Sequence, residues 1–226
     1  MGKINYKIFI IGLLSIGFNL LLHNFGVYSL LETKLYDIRF KIRGPITNWE
    51  SDIVLVEVDD DSYRLIPEPY PYPRGNVWSR LIRNLTDAGA KVIAFDIQFD
   101  SEDFSSLIFK KNVYSKCNNC NYEDQDHQFQ LAINYAQKND TKIVLASRIG
   151  YEPNRVPNHY IVNPTYTIME QNPYTGLVDY EVDAIDNVSR RYSIFNMIES
   201  TPDKKYLSFG VQTALAFLDM NNKEII

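Results

Sequence analysis

The sequence is poor in the residues that build zinc and redox centres. Among 226 residues only two are cysteine and three are histidine. The histidines, His23, His127 and His159, are far apart and lack the three- or four-residue spacing of a histidine metal site. Cys117 and Cys120 form one C-x-x-C pair, without the second pair that a four-cysteine zinc site needs. The sequence therefore predicts no metal site built from histidine or cysteine, and no cofactor.

Positive charge is also scarce outside the amino-terminal end. The chain has 23 Lys and Arg against 28 Asp and Glu, a net charge of −5. Residues 1–30 contain two lysines and no acid, so the remainder carries 21 positive and 28 negative charges, a net −7. Nucleic-acid-binding proteins need clustered Lys and Arg to contact the phosphates. Nucleic acid is therefore not an expected partner.

A long charge-free run lies near the amino terminus. Ile8 to Tyr28 contains no charged residue and is about as long as a helix that crosses a bilayer. Lys3 and Lys7 precede it, which favours a cytoplasmic amino terminus. A cleaved signal peptide is the alternative, but the run is longer than a signal core and no cleavage site follows it. We predict that residues 1–30 form a cytoplasmic end and one uncleaved transmembrane helix.

A second helical pattern follows the apolar run. Apolar residues recur at helical spacing and form one stripe, which consists of Leu31, Leu35, Ile38 and Ile42. The pair at 44–45, Gly followed by Pro, ends the pattern. We expect this helix to continue the anchor and to pack on the globular body or on a partner chain, and the protein is predicted to be a homodimer.

The body of the chain alternates strand and helix patterns, without repeats. The predicted elements are strand Ile53–Val58, helix Asn76–Ala88, strand Lys91–Ile97, helix Asp124–Lys138 and strand Ile143–Ala146. Three strands joined by helices are typical of an α/β fold with a parallel sheet and right-handed crossovers. We expect a three-layer parallel-sheet domain whose ligand crevice lies at the carboxyl ends of the strands.

After Gly150 the pattern changes, because prolines punctuate short extended pieces. A further strand is predicted over residues 190–198 and a last helix over residues 207–218. These two elements complete the predicted body.

Acidic residues follow the first two predicted strands. The first predicted strand is followed by Asp59, Asp60, Asp61 and Ser62. Asp96 is near the carboxyl end of the second predicted strand. These side chains could bind Mg²⁺, Ca²⁺ or a small polar ligand. Alternatively, Asp60 and Ser62 cap a turn while Asp96 holds a neighbouring backbone amide. An acidic cluster alone provides neither a nucleophile nor a positioned base, so it does not indicate catalysis.

Arg74 is the candidate basic residue of the site. It precedes the first predicted helix of the body. A guanidinium binds carboxylates in a bidentate manner. Arg74 could therefore bind the carboxylate of a ligand or pair structurally with an acid such as Asp96, and we favour the structural pairing.

The C-x-x-C pair lies in a long polar stretch between the second strand and the second helix. It is not at a strand-to-helix junction, as the pair of a thioredoxin-like protein would be. Outside the cytoplasm, a disulfide between Cys117 and Cys120 is the expected state. Its small loop predicts modest stabilisation. Redox sensing remains the alternative.

Seven segments follow one another along the chain in an ordered series: residues 31–45, 53–62, 71–74 (Pro-Tyr-Pro-Arg), 88–96, 124–136, 143–146 and 186–191. This series resembles the type-two CHASE domain, an extracellular sensor of bacterial cyclases, histidine kinases and related transducers. Two positions differ from the family pattern: Tyr72 stands where the family usually has Trp, and Asn187 stands where it has Gly. Asn tolerates a left-handed turn better than most residues, so the second difference is mild.

The resemblance implies that residues 31–226 form an extracytoplasmic sensor domain that binds an unknown small-molecule or ion signal. Family features that follow the last helix, namely a strand, a glycine-rich turn and membrane spans, are not seen, so we expect the domain to be incomplete at its carboxyl terminus. No cyclase or kinase signature is present, and the expected effector lies outside this chain. Two alternatives remain: a metal-dependent hydrolase that uses Asp59, Asp61 and Asp96, and a purely structural dimerisation module.

Overall fold

The computed structural model describes residues 6–45, 52–107, 124–180, 182 and 186–220. The chain forms two compact units, Met1–Glu57 and Val58–Ile226, and each is described by itself.

The first unit contains two helices, α1 (Tyr6–Asn24) and α2 (Val27–Arg43). Gly26, between them, has a left-handed backbone with φ of +66°, and the chain bends there by 64°. No single described helix is long and apolar enough to cross a membrane, whereas the bent pair meets that requirement by length and composition. The prediction of one transmembrane helix within residues 1–30 is therefore not confirmed, because hydropathy does not reveal a glycine at which a helix breaks.

The predicted stripe lies on α2 as expected. Its side chains, Leu31, Leu35, Ile38 and Ile42, are exposed within this unit. The helix ends before Gly44, as predicted, and Gly44 has a φ of +71°, a backbone conformation that favours glycine.

The second unit is a mixed α/β fold. Its elements are α3 (Asp60–Leu65), a π-helical turn (Arg74–Trp78), α4 (Ser79–Asp87), β1 (Val92–Phe95), α5 (Gln125–Lys138), β2 (Lys142–Tyr151), β3 (His159–Val162), α6 (Tyr166–Met169), β4 (Tyr174–Leu177), β5 (Phe195–Ile198), β6 (Thr201–Leu207) and α7 (Phe209–Leu218).

The main sheet is mixed rather than parallel. β2 pairs with β1 and β4 in parallel, and its last four residues pair antiparallel with β3. β5 and β6 form a separate antiparallel hairpin. The prediction of a purely parallel sheet is wrong. β2 is ten residues long and extends beyond the residues that pair with β1 and β4, and β3 provides hydrogen-bond partners for the backbone groups of this extension.

The first predicted strand does not form. Ile53–Val58 belongs to no strand of the described chain, and Val54 is 83% exposed. A β-branched run has the propensity for a strand, but a strand also needs a neighbour for its backbone. The first regular element of this unit is therefore the acidic helix α3.

The sheet is covered on both faces. Ile143 and Leu145 pack in the main core with α5, and the alternate residues Val144 and Ala146 are also buried. α7 covers this second face: a Cβ on Gly176, beside Ala146, would lie 2.5 Å from the Phe209 backbone. The three layers are thus α4 with α5, the sheet, and α7.

The helix α5 provides the central face of the core, as its spacing predicts. Phe129, Ala132, Ile133 and Ala136 are all completely buried. Asp124 caps the helix by accepting hydrogen bonds from the backbone N–H groups of Asp126 and His127. This helix start is important for the candidate site, because it places Asp126 against the turn that carries Arg74.

Candidate functional site

The acidic residues at 59–61 begin a helix. The Asp59 carboxylate accepts hydrogen bonds from the Ser62 backbone N–H and from Ser62 Oγ, both at 2.9 Å. The Asp59 N–H donates in return to Ser62 Oγ at 3.2 Å, which completes a capping box. Asp60 and Asp61 lie in the first turn of the helix, where the helix dipole stabilises negatively charged side chains. The cap is therefore Asp59 rather than Asp60.

The capping bonds lower the pKa of Asp59 below its ordinary value, first through the Ser62 backbone N–H and then through the Ser62 side chain. Because the folded pKa is depressed, the cap stabilises α3 above the ordinary carboxyl pKa and is lost as pH falls through the lowered value. We expect Asp59→Ala to abolish amide-exchange protection at Ser62, with Asp59→Asn retaining much of it. Asp60→Ala is the control and should leave it unchanged; equal loss in Asp60→Ala would contradict the cap.

Asp96 follows β1 directly, and its side chain is exposed. Among the described residues, no group of three or more His, Cys, Asp or Glu side chains is arranged to hold a metal ion. Asp59, Asp61 and Asp96 therefore do not form the metal centre that the hydrolase alternative requires.

Arg74 is in a buried ion pair, but with Asp126 instead of Asp96. Arg74 and Asp126 are 6% and 5% exposed, and Asp103 beside them is 4% exposed. The backbone N–H of Arg74 donates to Asp103 Oδ2 at 3.0 Å, and the Asp103 N–H donates to Asp126 Oδ2 at 3.1 Å. The structural pairing predicted for Arg74 is thus present with a different acid. We name these three residues the Arg74 cluster.

The Arg74 cluster joins three parts of the second unit. Asp103 Oδ1 also accepts hydrogen bonds from the backbone N–H groups of Ser105 and Ser106, at 2.9 and 3.3 Å. The Arg74 guanidinium lies 5.0 Å from the centroid of the Phe99 ring. The cluster therefore fixes the π-helical turn, the segment after β1 and the start of α5 against each other. The guanidinium of Arg74 and the carboxylates of Asp103 and Asp126 bind one another or backbone N–H groups of this unit.

A chain of aromatic rings runs from the surface into the core, and sequence reasoning missed it. Tyr63 and Tyr70 are exposed, whereas Tyr72 is only 3% exposed. The three rings contact each other, and the Tyr72 ring lies 6.1 Å from that of Trp78. Contacts continue from Trp78 through Phe95 to Phe99 and Phe129. The high number of tyrosines was visible in the sequence, but their clustering depends on how residues 63–72 turn.

The turn at Asp186–Arg191 agrees with the resemblance. Asn187 has a φ of +56°, the left-handed conformation for which Gly or Asn is suited. Arg190 binds the Asp186 carboxylate with both terminal nitrogens, at 2.9 and 2.7 Å. Cys117 and Cys120, the predicted disulfide, lie outside the described residues.

Comparison with known proteins gives one match. A family model described as the CHASE2 domain matches residues 9–226. No curated protein and no solved structure matches the chain.

Proposed function

The chain belongs to the CHASE2 domain family, and from this membership we propose that it is the membrane-anchored, extracytoplasmic input domain of a bacterial signalling protein. The family consists of extracellular sensory domains, which is consistent with a sensor rather than an enzyme. The match over residues 9–226 is the observation that carries the proposal, because it includes the apolar amino-terminal helices as well as the body.

The anchor in this proposal is the bent pair α1 and α2. These helices together have the length and composition of a span, and their large side chains are mostly exposed, as those of lipid-facing helices are. The proposal places the protein in the inner or plasma membrane, with one pass in this chain and the second unit outside the cytoplasm. Lysines that flank a membrane span tend to remain in the cytoplasm. Lys3 and Lys7 therefore support an orientation with the amino terminus in the cytoplasm.

The proposed output is the relay of a signal to a cytoplasmic effector, such as a cyclase or a kinase, that lies outside this chain. Relay requires a ligand that binds two conformations of the domain with different affinities. A ligand that binds both conformations equally would shift nothing. The effector type is an expectation from the family.

Reporter fusions test the proposed location. Alkaline phosphatase, which is active only outside the cytoplasm, and green fluorescent protein, which fluoresces in the cytoplasm, are each fused after Ile226 and expressed in bacteria. We expect active phosphatase and a dark fluorescent protein. As a control, deletion of α1 (Tyr6–Asn24) should reverse both signals. Fluorescence with inactive phosphatase in the complete chain would refute the location.

The proposal includes a homodimer that forms through the α2 stripe. Leu35 lies on the stripe and Thr33 lies on the other side of the helix, about 160° away at 100° per residue. In a chain with Cys117 and Cys120 replaced by serine, we expect Leu35→Cys to crosslink to a second copy in the membrane and Thr33→Cys to crosslink much less. Equal crosslinking at both positions would argue against this interface.

A further inference from the structure

Three tyrosines, one in α3 and two after it, form a cluster that runs from the surface to the core. The ring centroids of Tyr63 and Tyr70 are 5.3 Å apart, those of Tyr70 and Tyr72 are 5.6 Å apart, and those of Tyr63 and Tyr72 are 6.2 Å apart. Tyr63 is 51% and Tyr70 is 62% exposed, so two solvent-accessible rings lie beside one buried ring. The faces of aromatic rings carry partial negative charge and attract cations. We name these residues the tyrosine cluster.

The buried member has an unsatisfied hydroxyl. Tyr72 Oη is buried and has no hydrogen-bond partner in the described part of the chain. An unpaired buried hydroxyl is unfavourable, and native proteins contain few of them. The Tyr72 ring contacts the rings of Tyr63 and Tyr70. The backbone N–H of Tyr63 donates to the Asp59 carbonyl at 3.3 Å, and Glu68 is two residues before Tyr70 in the chain. The unpaired group therefore belongs to a ring that contacts two exposed rings, in a segment that carries carboxylates.

The surroundings of the tyrosine cluster are strongly acidic. Residues 59–73 contain three Asp and one Glu against a single Arg, a net charge of −3. That one cation, Arg64, is paired with Asp61. Burial raises the pKa of Tyr72, and the neighbouring tyrosines and carboxylates raise it further, so this hydroxyl stays neutral.

We propose that the tyrosine cluster, with Asp59 and Glu68, binds the ammonium group of a small organic cation. The exposed rings provide the cation–π contact, the carboxylates provide the counter-charge, and the Tyr72 hydroxyl provides an oxygen that can accept from the ligand or donate to it. This inference rests on the proposed sensor function and gives its signal a chemical class.

Choline is the probe, because its neutral isostere 3,3-dimethylbutan-1-ol has the same shape without the charge. The full chain, in non-ionic detergent without choline lipids, carries Trp49→Phe so that Trp78, next to Tyr72, is the only tryptophan. We expect a saturable change in Trp78 emission with choline and none with the isostere. Equal responses to both compounds, or no saturable response to choline, would overturn the proposal.

Variants locate the response. We expect Tyr63→Ala and Tyr70→Ala each to weaken choline binding by about 3- to 30-fold, as the loss of one cation–π contact predicts. Tyr166→Ala is the matched control, because Tyr166 is 80% exposed and belongs to another helix. An equal loss in Tyr166→Ala would overturn the assignment.

Substitutions that keep the fold separate binding from structure. Asp59→Asn retains a side chain that can cap α3, and Glu68→Gln retains the size of the side chain. Both should weaken choline binding. Tyr72→Phe removes the unpaired hydroxyl and should raise the melting temperature while it lowers choline affinity; unchanged affinity in Tyr72→Phe would exclude the hydroxyl from the site.

Failure of this inference differs from failure of the proposed function. If the fusions place the body outside the cytoplasm but choline does not bind, only the ligand class is wrong. If the fusions place the body in the cytoplasm, the sensor proposal fails whatever choline does.

Discussion

Replacement of Arg74 by methionine is expected to lower the free energy of unfolding of the second unit by about 3–5 kcal/mol. Met has a similar length, but it leaves the carboxylates of Asp103 and Asp126 buried without a counter-charge. The cost comes mainly from this uncompensated burial and less from the lost attraction. Urea unfolding of the full chain in detergent, followed by circular dichroism, measures the change.

The matched control for this prediction is an exposed ion pair. Arg64 is paired with Asp61, and their side chains are 74% and 64% exposed. Arg64→Met should change the free energy of unfolding by less than about 1 kcal/mol, because solvent screens an exposed pair. If Arg74→Met costs no more than Arg64→Met, the Arg74 cluster does not hold the fold together.

Truncation of Phe129 is the second prediction with a large effect. Phe129 is completely buried, and its ring lies 4.9 Å from that of Phe99 and 5.9 Å from that of Phe95. Phe129→Ala removes these contacts and leaves a cavity in the centre of the core, so we expect a loss of about 3–5 kcal/mol. The same urea experiment measures it.

The control lies two residues further along the same helix. Leu131 is 41% exposed, so Leu131→Ala should cost much less than Phe129→Ala. Similar losses for the two variants would mean that α5 does not present the face described here to the core.

Local patterns in the sequence predicted much of the second unit. The helix α5 follows from apolar residues at helical spacing, and its predicted and observed bounds differ by one residue. The stop after α4 follows from Gly89, whose φ is +86°. The left-handed turn at Asn187 follows from the tolerance of asparagine for that conformation. In each case the physical cause lies within a few residues.

The features that could not be predicted depend on distant partners or on backbone conformation. Asp126 is 52 residues from Arg74 and Asp103 is 29 residues from it, so no local pattern pairs them. The apolar run Ile53–Val58 resembles a strand, but only the fold decides whether a neighbour is available. The break at Gly26 depends on one backbone angle within a run of apolar residues.

The candidate site changed for the same reason. Asp59, Asp60, Asp61, Ser62, Arg74 and Asp96 were grouped because parallel strands end at one edge of a sheet. Asp59 and Ser62 instead form a helix cap, and Arg74 belongs to a buried cluster. Asp59 remains in the ligand proposal because it lies next to Tyr63, whose ring contacts that of Tyr72. Strand ends do not predict this arrangement.

The most direct test of the account is where the second unit lies relative to the membrane. Val156 is 97% exposed, so Val156→Cys, with Cys117 and Cys120 replaced by serine, offers one accessible thiol without a fusion partner. Intact bacterial spheroplasts that express the chain are treated with a membrane-impermeant maleimide. The account predicts labelling of this cysteine before the cells are opened. Labelling only after permeabilisation would contradict it.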